Sequence, residues 1–355
     1  MPKHSLRLLL CLVYMFLCFT VSADAQTEMG KDAYCSLVDE QNHVINQTGS
    51  QVYPGDIYIA ADNSKYKVIE VTGTTARCVY QGKEPMPTLE ETPRTQAYLG
   101  DNALPVVTKS SKPTIAVYHT HSDESYVPED GKESINGNGG IYDVGAVFVK
   151  QLKAQGFNVA YNKSNHNPHD INAYNRSRKT ASALLKNMPT AIIDVHRDAT
   201  PPGEYQATVK GQDVTKIKLV VGRTNPNSQT NLQFAKRLKV AMDKMDPGLS
   251  EGIFIGKGAY NQDLSPQAML IEVGAHTNSK IEAEKGVKLF AQVLPAVLGM
   301  ASTKSSGTTN PNSAAKKPLN HNNQGSTTTI IILIAVVAAV IGGFFLLNRG
   351  SSSKG

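Results

Sequence analysis

Three stretches of the chain share one pattern, an apolar run that stops abruptly at residues able to carry chemistry. Thr114-Ile115-Ala116-Val117-Tyr118 runs into His119-Thr120-His121-Ser122-Asp123-Glu124. Ala191-Ile192-Ile193 runs into Asp194-Val195-His196-Arg197-Asp198, and Ala268-Met269-Leu270-Ile271 into Glu272. Short apolar runs rich in β-branched residues are what strands buried on both faces look like. Two more strands are expected at residues 157–161 and 253–255, and a hairpin over 209–221 turning at Gly211-Gln212-Asp213. Between these runs the apolar spacing changes to that of one face of a helix, which predicts helices at 143–155, 170–187, 231–245 and 282–299. Gly156 and Asp246-Pro247-Gly248 end two of them, and Asp170 caps another. The glycine-rich segment 136–140 follows no strand directly and reads as a loop. Strands alternating with such helices predict an α/β domain over residues 112–301, a mostly parallel sheet with helices on both faces. Sites in such sheets form at the carboxyl ends of the strands, where His119, His121, His196 and Glu272 fall.

Residues 33–82 follow a shorter period. Lys65-Tyr66-Lys67-Val68-Ile69-Glu70-Val71 alternates polar and apolar positions, and Pro54-Gly55-Asp56, Asp62-Asn63-Ser64 and Thr72-Gly73-Thr74 are turn signals. They predict a small all-β module, a meander or barrel, with a binding or spacing role. A module this small gains from a covalent staple. Residues 83–111, polar and carrying Pro85, Pro87, Pro93 and Pro105, read as the linker to the α/β domain.

The two ends point to a membrane. Residues 1–25 have the form of a secretory leader: Lys3 and Arg7, an apolar stretch, then small residues at Val21-Ser22-Ala23 or Ala23-Asp24-Ala25. Its removal takes Cys11 and Cys18 away and leaves Cys35 and Cys78 as an even pair in an oxidising compartment, so a disulfide between them is expected. Residues 302–329, rich in Ser, Thr, Asn, Gly and Lys, read as a disordered linker. Residues 330–347 are uninterruptedly apolar and just long enough for a transmembrane helix. Arg349 and Lys354 in the tail 348–355 put its cytoplasmic side at the C-terminus. The expected localisation is the cell membrane, single-pass, with the α/β domain on the extracytoplasmic side.

Charge narrows the partners. The 355 residues carry a net charge of +6, but the basic residues are scattered, where a nucleic-acid binder would cluster them. Weak attraction to anionic wall or lipid is the remaining implication. There is no G-x-S-x-G, H-E-x-x-H or phosphate loop, and neither Cys35 nor Cys78 lies in the α/β domain. A lone histidine usually makes a structural hydrogen bond; strand-end histidines with acids beside them fit a zinc site. His121, Glu124 and His196 are the candidate ligands, with His119 in place of His121, or Asp143 as the carboxylate, as alternatives. Glu272 suits the general base. Arg197 either binds a substrate carboxylate or pairs with Asp198, and Asp194 either supports His196 or is an ordinary strand residue. His166, His169 and His276 lie in polar loops and are expected to be exposed.

The phrases Tyr118-His119-Thr120-His121-Ser122-Asp123-Glu124-Ser125-Tyr126, Asp194-Val195-His196-Arg197-Asp198-Ala199 and Leu270-Ile271-Glu272-Val273-Gly274, with Val220-Val221-Gly222 before Asn225-Pro226-Asn227, resemble the stage II sporulation protein P family. That family is similar to zinc-dependent N-acetylmuramoyl-L-alanine amidases. The resemblance implies a peptidoglycan hydrolase, amidase and also endopeptidase, that works with stage II sporulation proteins D and M in engulfment. Carried over, His121 (or His119), Glu124 and His196 hold zinc and Glu272 is catalytic. The competing expectation is a non-catalytic peptidoglycan-binding or scaffold protein of a wall-remodelling complex.

Overall fold

The computed structural model describes Met29, residues 33–89 and residues 112–299. The expected leader 1–25, linker residues 90–111, the polar stretch 302–329, the span 330–347 and the tail 348–355 lie outside the described residues. Among the described residues no helix is long and apolar enough to cross a membrane.

Among the described residues thirteen strands run in chain order: β1 (Cys35–Val38), β2 (Val44–Thr48), β3 (Ile57–Ala60), β4 (Ser64–Thr72), β5 (Thr75–Lys83), β6 (Thr114–Tyr118), β7 (Asn158–Tyr161), β8 (Ala191–Asp198), β9 (Gln206–Val209), β10 (Gln212–Thr215), β11 (Ile217–Gly222), β12 (Ser250–Gly256) and β13 (Ala268–Ala275). Eleven form one sheet in the order β2-β1-β5-β4-β3-β12-β11-β13-β8-β6-β7, and β9 and β10 form a separate ribbon. Within the α/β half, β12 with β11 and the series β13, β8, β6, β7 are parallel, while β11 and β13 run antiparallel. The domain is therefore a mixed α/β fold with one reversal in the expected parallel sheet.

A one-turn helix, α1 (Val127–Asp130), precedes α2 (Ile141–Ala154), α3 (Ala173–Leu185), α4 (Ser228–Met245) and α5 (Lys280–Val297). Strand alternation sorts the side chains. Ile115, Val117, Ile193, Val195, Ile271 and Val273 face a large core closed by Phe148 of α2, Phe234 of α4 and Phe290 of α5. Ala116, Tyr118, Ile192 and Ala268 face the other way, against Ala181 and Leu184 of α3. His196 and Glu272 share the parity of this second face, so the site forms beside α3.

The β module is present but does not stand alone. β3 pairs antiparallel with β12, placing Ile59 opposite Ile253 and Tyr58 opposite Phe254. Ile59 enters the main core, while Tyr58 joins a second cluster with Val220, Phe254, Tyr260 and Leu270. An edge strand offers unpaired backbone groups, and an alternation that suits both faces lets β12 take it up.

The expected disulfide is absent: Cys35 and Cys78 are buried free thiols. β1 and β5 run parallel with Ser36 opposite Thr75 and Val38 opposite Arg77. Cys35 is thus offset from Cys78 by several strand positions, on the order of 10 Å, beyond what a disulfide bridges. Burial pushes the Cys35 thiol up to about 11 and the Cys78 thiol up to about 12, which keeps both protonated.

Candidate metal centre

The three apolar runs deliver their polar residues to one place. His121, Glu124 and His196 are buried, and one ligand atom from each lies within 4.8 Å of the others. Glu124 is the hub. Its Oε1 stands 3.2 Å from Nδ1 of His121 and 3.2 Å from Nδ1 of His196, and its Oε2 accepts the Arg197 N–H at 2.9 Å. Behind His196, Asp194 Oδ1 is 3.0 Å from Nε2. Asp194 is itself fixed by the Thr120 N–H at 2.8 Å and the Thr120 hydroxyl at 2.5 Å. The His169 ring stacks on His121 with centroids 4.0 Å apart, and Tyr174 stands edge-on to His121 at 5.5 Å.

Electrostatics follow from this enclosure. Burial pushes the Glu124 carboxyl up, but His196, Arg197 and His121 outweigh it and hold the group well below the usual carboxylate range. Burial also works against a charged His196 ring, yet Asp194 and Glu124 prevail and raise its pKa well above the ordinary histidine value. A ring set between two carboxylates marks a place that retains positive charge. The donor chemistry fits zinc. Two imidazoles and a carboxylate are a ligand set of catalytic zinc sites, and a carboxylate on a ligand histidine's far nitrogen sets its tautomer and orientation.

Glu272 adjoins this group. It is the register partner of His196 on β8 and of Lys218 on β11, so the three stand in one row across the sheet. Its Oε2 has no hydrogen-bond partner. Burial and the Asp198 carboxylate push its carboxyl well above the ordinary range, with His196 opposing. Such a carboxyl can exchange a proton with whatever reacts beside it.

The sequence model of one family, stage II sporulation protein P, matches residues 31–295. The chain belongs to this family. It is 33% identical over 223 residues to stage II sporulation protein P of Bacillus subtilis strain 168, a match covering 57% of this chain and 55% of that protein. The chain thus spans about half the length of that curated relative. Among solved structures, the N-acetylmuramyl-L-alanine amidase Ami1 from Mycobacterium smegmatis has a TM-score of 0.37 and 16% identity, covering 55% of this chain and 100% of its own. The CwlD amidase from Clostridioides difficile, in complex with the GerS lipoprotein, has a TM-score of 0.37 and 13% identity, covering 54% of this chain and 100% of that one. Similarity at this level is too distant to bear on function.

In this member of the stage II sporulation protein P family the alternative ligands lie elsewhere. His119 uses both ring nitrogens, Nδ1 at 2.9 Å from Val195 O and Nε2 at 2.8 Å from the Tyr161 hydroxyl. Burial pushes its pKa down to about 4, so it is a neutral structural ring. Asp143 is exposed and pairs with Lys280 Nζ at 2.8 Å. Arg197 is buried; it donates to Glu133 O at 3.0 Å and lies 4.0 Å from Glu124 Oε1, which makes it a brace for the ligand loop. It does not pair with Asp198, which takes Lys218 and Tyr205 instead.

Two histidines expected in solvent are packed inward. His166 is buried against His119 O at 2.7 Å and Thr180 Oγ1 at 2.8 Å. His169 stacks on His121 and holds Asp123 Oδ1 at 3.0 Å. The glycine-rich loop seats the ligands: the Gly139 N–H donates to Ser122 O at 3.1 Å and the Ile141 N–H to Glu124 O at 3.0 Å. Glycine content next to the start of a helix was the one available signal.

Proposed function

We propose that the protein is a zinc-dependent peptidoglycan hydrolase, an N-acetylmuramoyl-L-alanine amidase that cuts between muramic acid and the stem peptide. One observation carries this reading: His121, Glu124 and His196 converge in a buried cluster with Glu272 beside them. The three residues would hold the metal, and Asp194 would orient His196. Zinc, when bound, supplies a Lewis acid for the amide carbonyl and lowers the pKa of water. Glu272 takes up a proton at its unpartnered oxygen and returns it to the leaving amine. Arg197 keeps Glu124 in place, and the His169 and Tyr174 rings wall the site. The chain would be tethered by residues 330–347 at the extracytoplasmic face of the cell membrane. It would act there with stage II sporulation proteins D and M in wall remodelling during engulfment.

The test is metal analysis of the purified chain together with mass spectrometry of peptidoglycan it has digested. Stoichiometric zinc and free stem peptides are expected. His196→Ala should lose both. Glu272→Gln should keep the zinc and lose product release by roughly 10²–10⁴-fold. Cleaved cross-links without free stems would make the protein an endopeptidase. Neither zinc nor product from the folded chain, with protein D supplied, would leave only a wall-binding role.

A further inference from the structure

The β module reaches into the row of residues that carries the proposed chemistry. Lys218, Glu272 and His196 are register neighbours on β11, β13 and β8. Lys218 is only 1% exposed despite its ammonium group. Its Nζ donates to Gln47 O at 2.7 Å and to Asp198 Oδ2 at 3.1 Å, and stands 4.9 Å from the centre of the Tyr205 ring. A buried ammonium is costly to keep unless it is paired and hydrogen-bonded. Here one partner belongs to β8 and another to the backbone of the module.

Asp198, two residues beyond His196 on the same strand, has both oxygens occupied. Oδ1 accepts the Gly49 N–H at 2.7 Å and the Ala199 N–H at 2.8 Å; Oδ2 accepts the Tyr205 hydroxyl at 2.8 Å as well as Lys218. The Asp198 carbonyl accepts the His276 N–H at 2.9 Å, which ties the end of β8 to the end of the strand bearing Glu272. Gly49 packs so closely here that a Cβ on it would lie 2.6 Å from Ala199 Cβ and 3.0 Å from Ala199 N.

We infer that Lys218 is a positioning residue: with Gln47 and Gly49 of the β module it holds the end of β8, and through it His196 and Glu272, in register. The module is thereby part of the centre, in place of the spacer its sequence resembles. No group in this junction needs to touch substrate for the effect to reach the chemistry. A misplacement of about 1 Å in a catalytic constellation can cost on the order of 10²-fold in rate.

The full chain is tested as Lys218→Met and as Gly49→Ala, the second of which alters no charge. Amide hydrogen exchange is read at Arg197, Ala199 and His276, with the β6 amides as internal reference, alongside turnover of peptidoglycan. Both variants should speed exchange at the three amides by about tenfold or more while β6 is unchanged. Both should lower kcat by about tenfold or more with little change in KM. The double variant should lose no more than the worse single one, because both act on one junction. Unchanged exchange at the three amides overturns the assignment. So does acceleration shared equally by β6, which makes Lys218 an ordinary core group, and so does faster exchange with an unaltered kcat. The kinetic arm rests on the hydrolase reading and the exchange arm does not. A wild-type chain that turns over no peptidoglycan sinks that reading alone, and exchange then decides the role of Lys218.

Discussion

At Glu251 two influences compete for one carboxyl group. Lys216 Nζ lies 2.6 Å from Oε2 and favours the ion. Burial and the neighbouring Glu204 carboxylate favour the acid and win, pushing the pKa from 4.5 up to about 7. The sign of the stability effect follows. A carboxyl whose folded pKa lies above its unfolded value stabilises the fold fully below about pH 4.5 and loses that contribution as pH rises through about 7. The slope from this group is at most about 1.4 kcal/mol per pH unit inside that window. Glu251→Gln should flatten the fall in stability between pH 5 and pH 7, read from urea midpoints across the range. Curves that stay parallel to the wild type would refute it. The same contest between solvation and neighbours separates the histidines. His119 is buried without a carboxylate bonded to its ring, and its pKa falls to about 4, while His196 is buried between two carboxylates that push its pKa up.

At the level of elements the informative contact is β3 with β12. Gly252, the register partner of Ala60, has φ +127°, and a Cβ there would meet Ile59 O at 2.4 Å. Only glycine is at ease in that backbone conformation and at that distance. Gly252→Ala should therefore strain the strand and push β3 away. It threatens the burial of Ile59, worth roughly 1.5–3 kcal/mol, and adds backbone strain of order 1–3 kcal/mol. A denaturation midpoint within error of the wild type would show that the two strands are not clamped as described. The helices illustrate how well a pattern locates an element and how loosely it sets the ends. Spacing predicted 231–245 and 282–299; the helices run Ser228–Met245 and Lys280–Val297. Apolar residues mark only the buried face, and the first turns of both helices begin on polar residues that periodicity does not see.

For the whole molecule, the continuity of the cores predicts cooperativity. Ile59 of the module lies in the same apolar cluster as Phe148, Phe234 and Phe290. Val52, Val68 and Ala76 of the module share the second cluster with Val220, Phe254 and Leu270. The described residues should unfold in one calorimetric transition, with calorimetric and van't Hoff enthalpies in agreement. Two separable peaks would mean that the module and the α/β half fold independently. The sequence by itself determined the class of fold, because burial on two faces leaves an unmistakable apolar run. It also determined the neighbourhood of the centre, because His121, His196 and Glu272 stand at or beside the places where such runs end. Only the tertiary structure gathers His121, and not His119, with Glu124 and His196, since both follow the same strand and it is the Val195 carbonyl and Tyr161 hydroxyl that claim His119. Only it could place Lys218, Asp198 and Gly49 together, or keep Cys35 from Cys78. Those relations are set by strand register and by contacts between distant segments, and periodicity records which side of an element is buried without recording what lies against it.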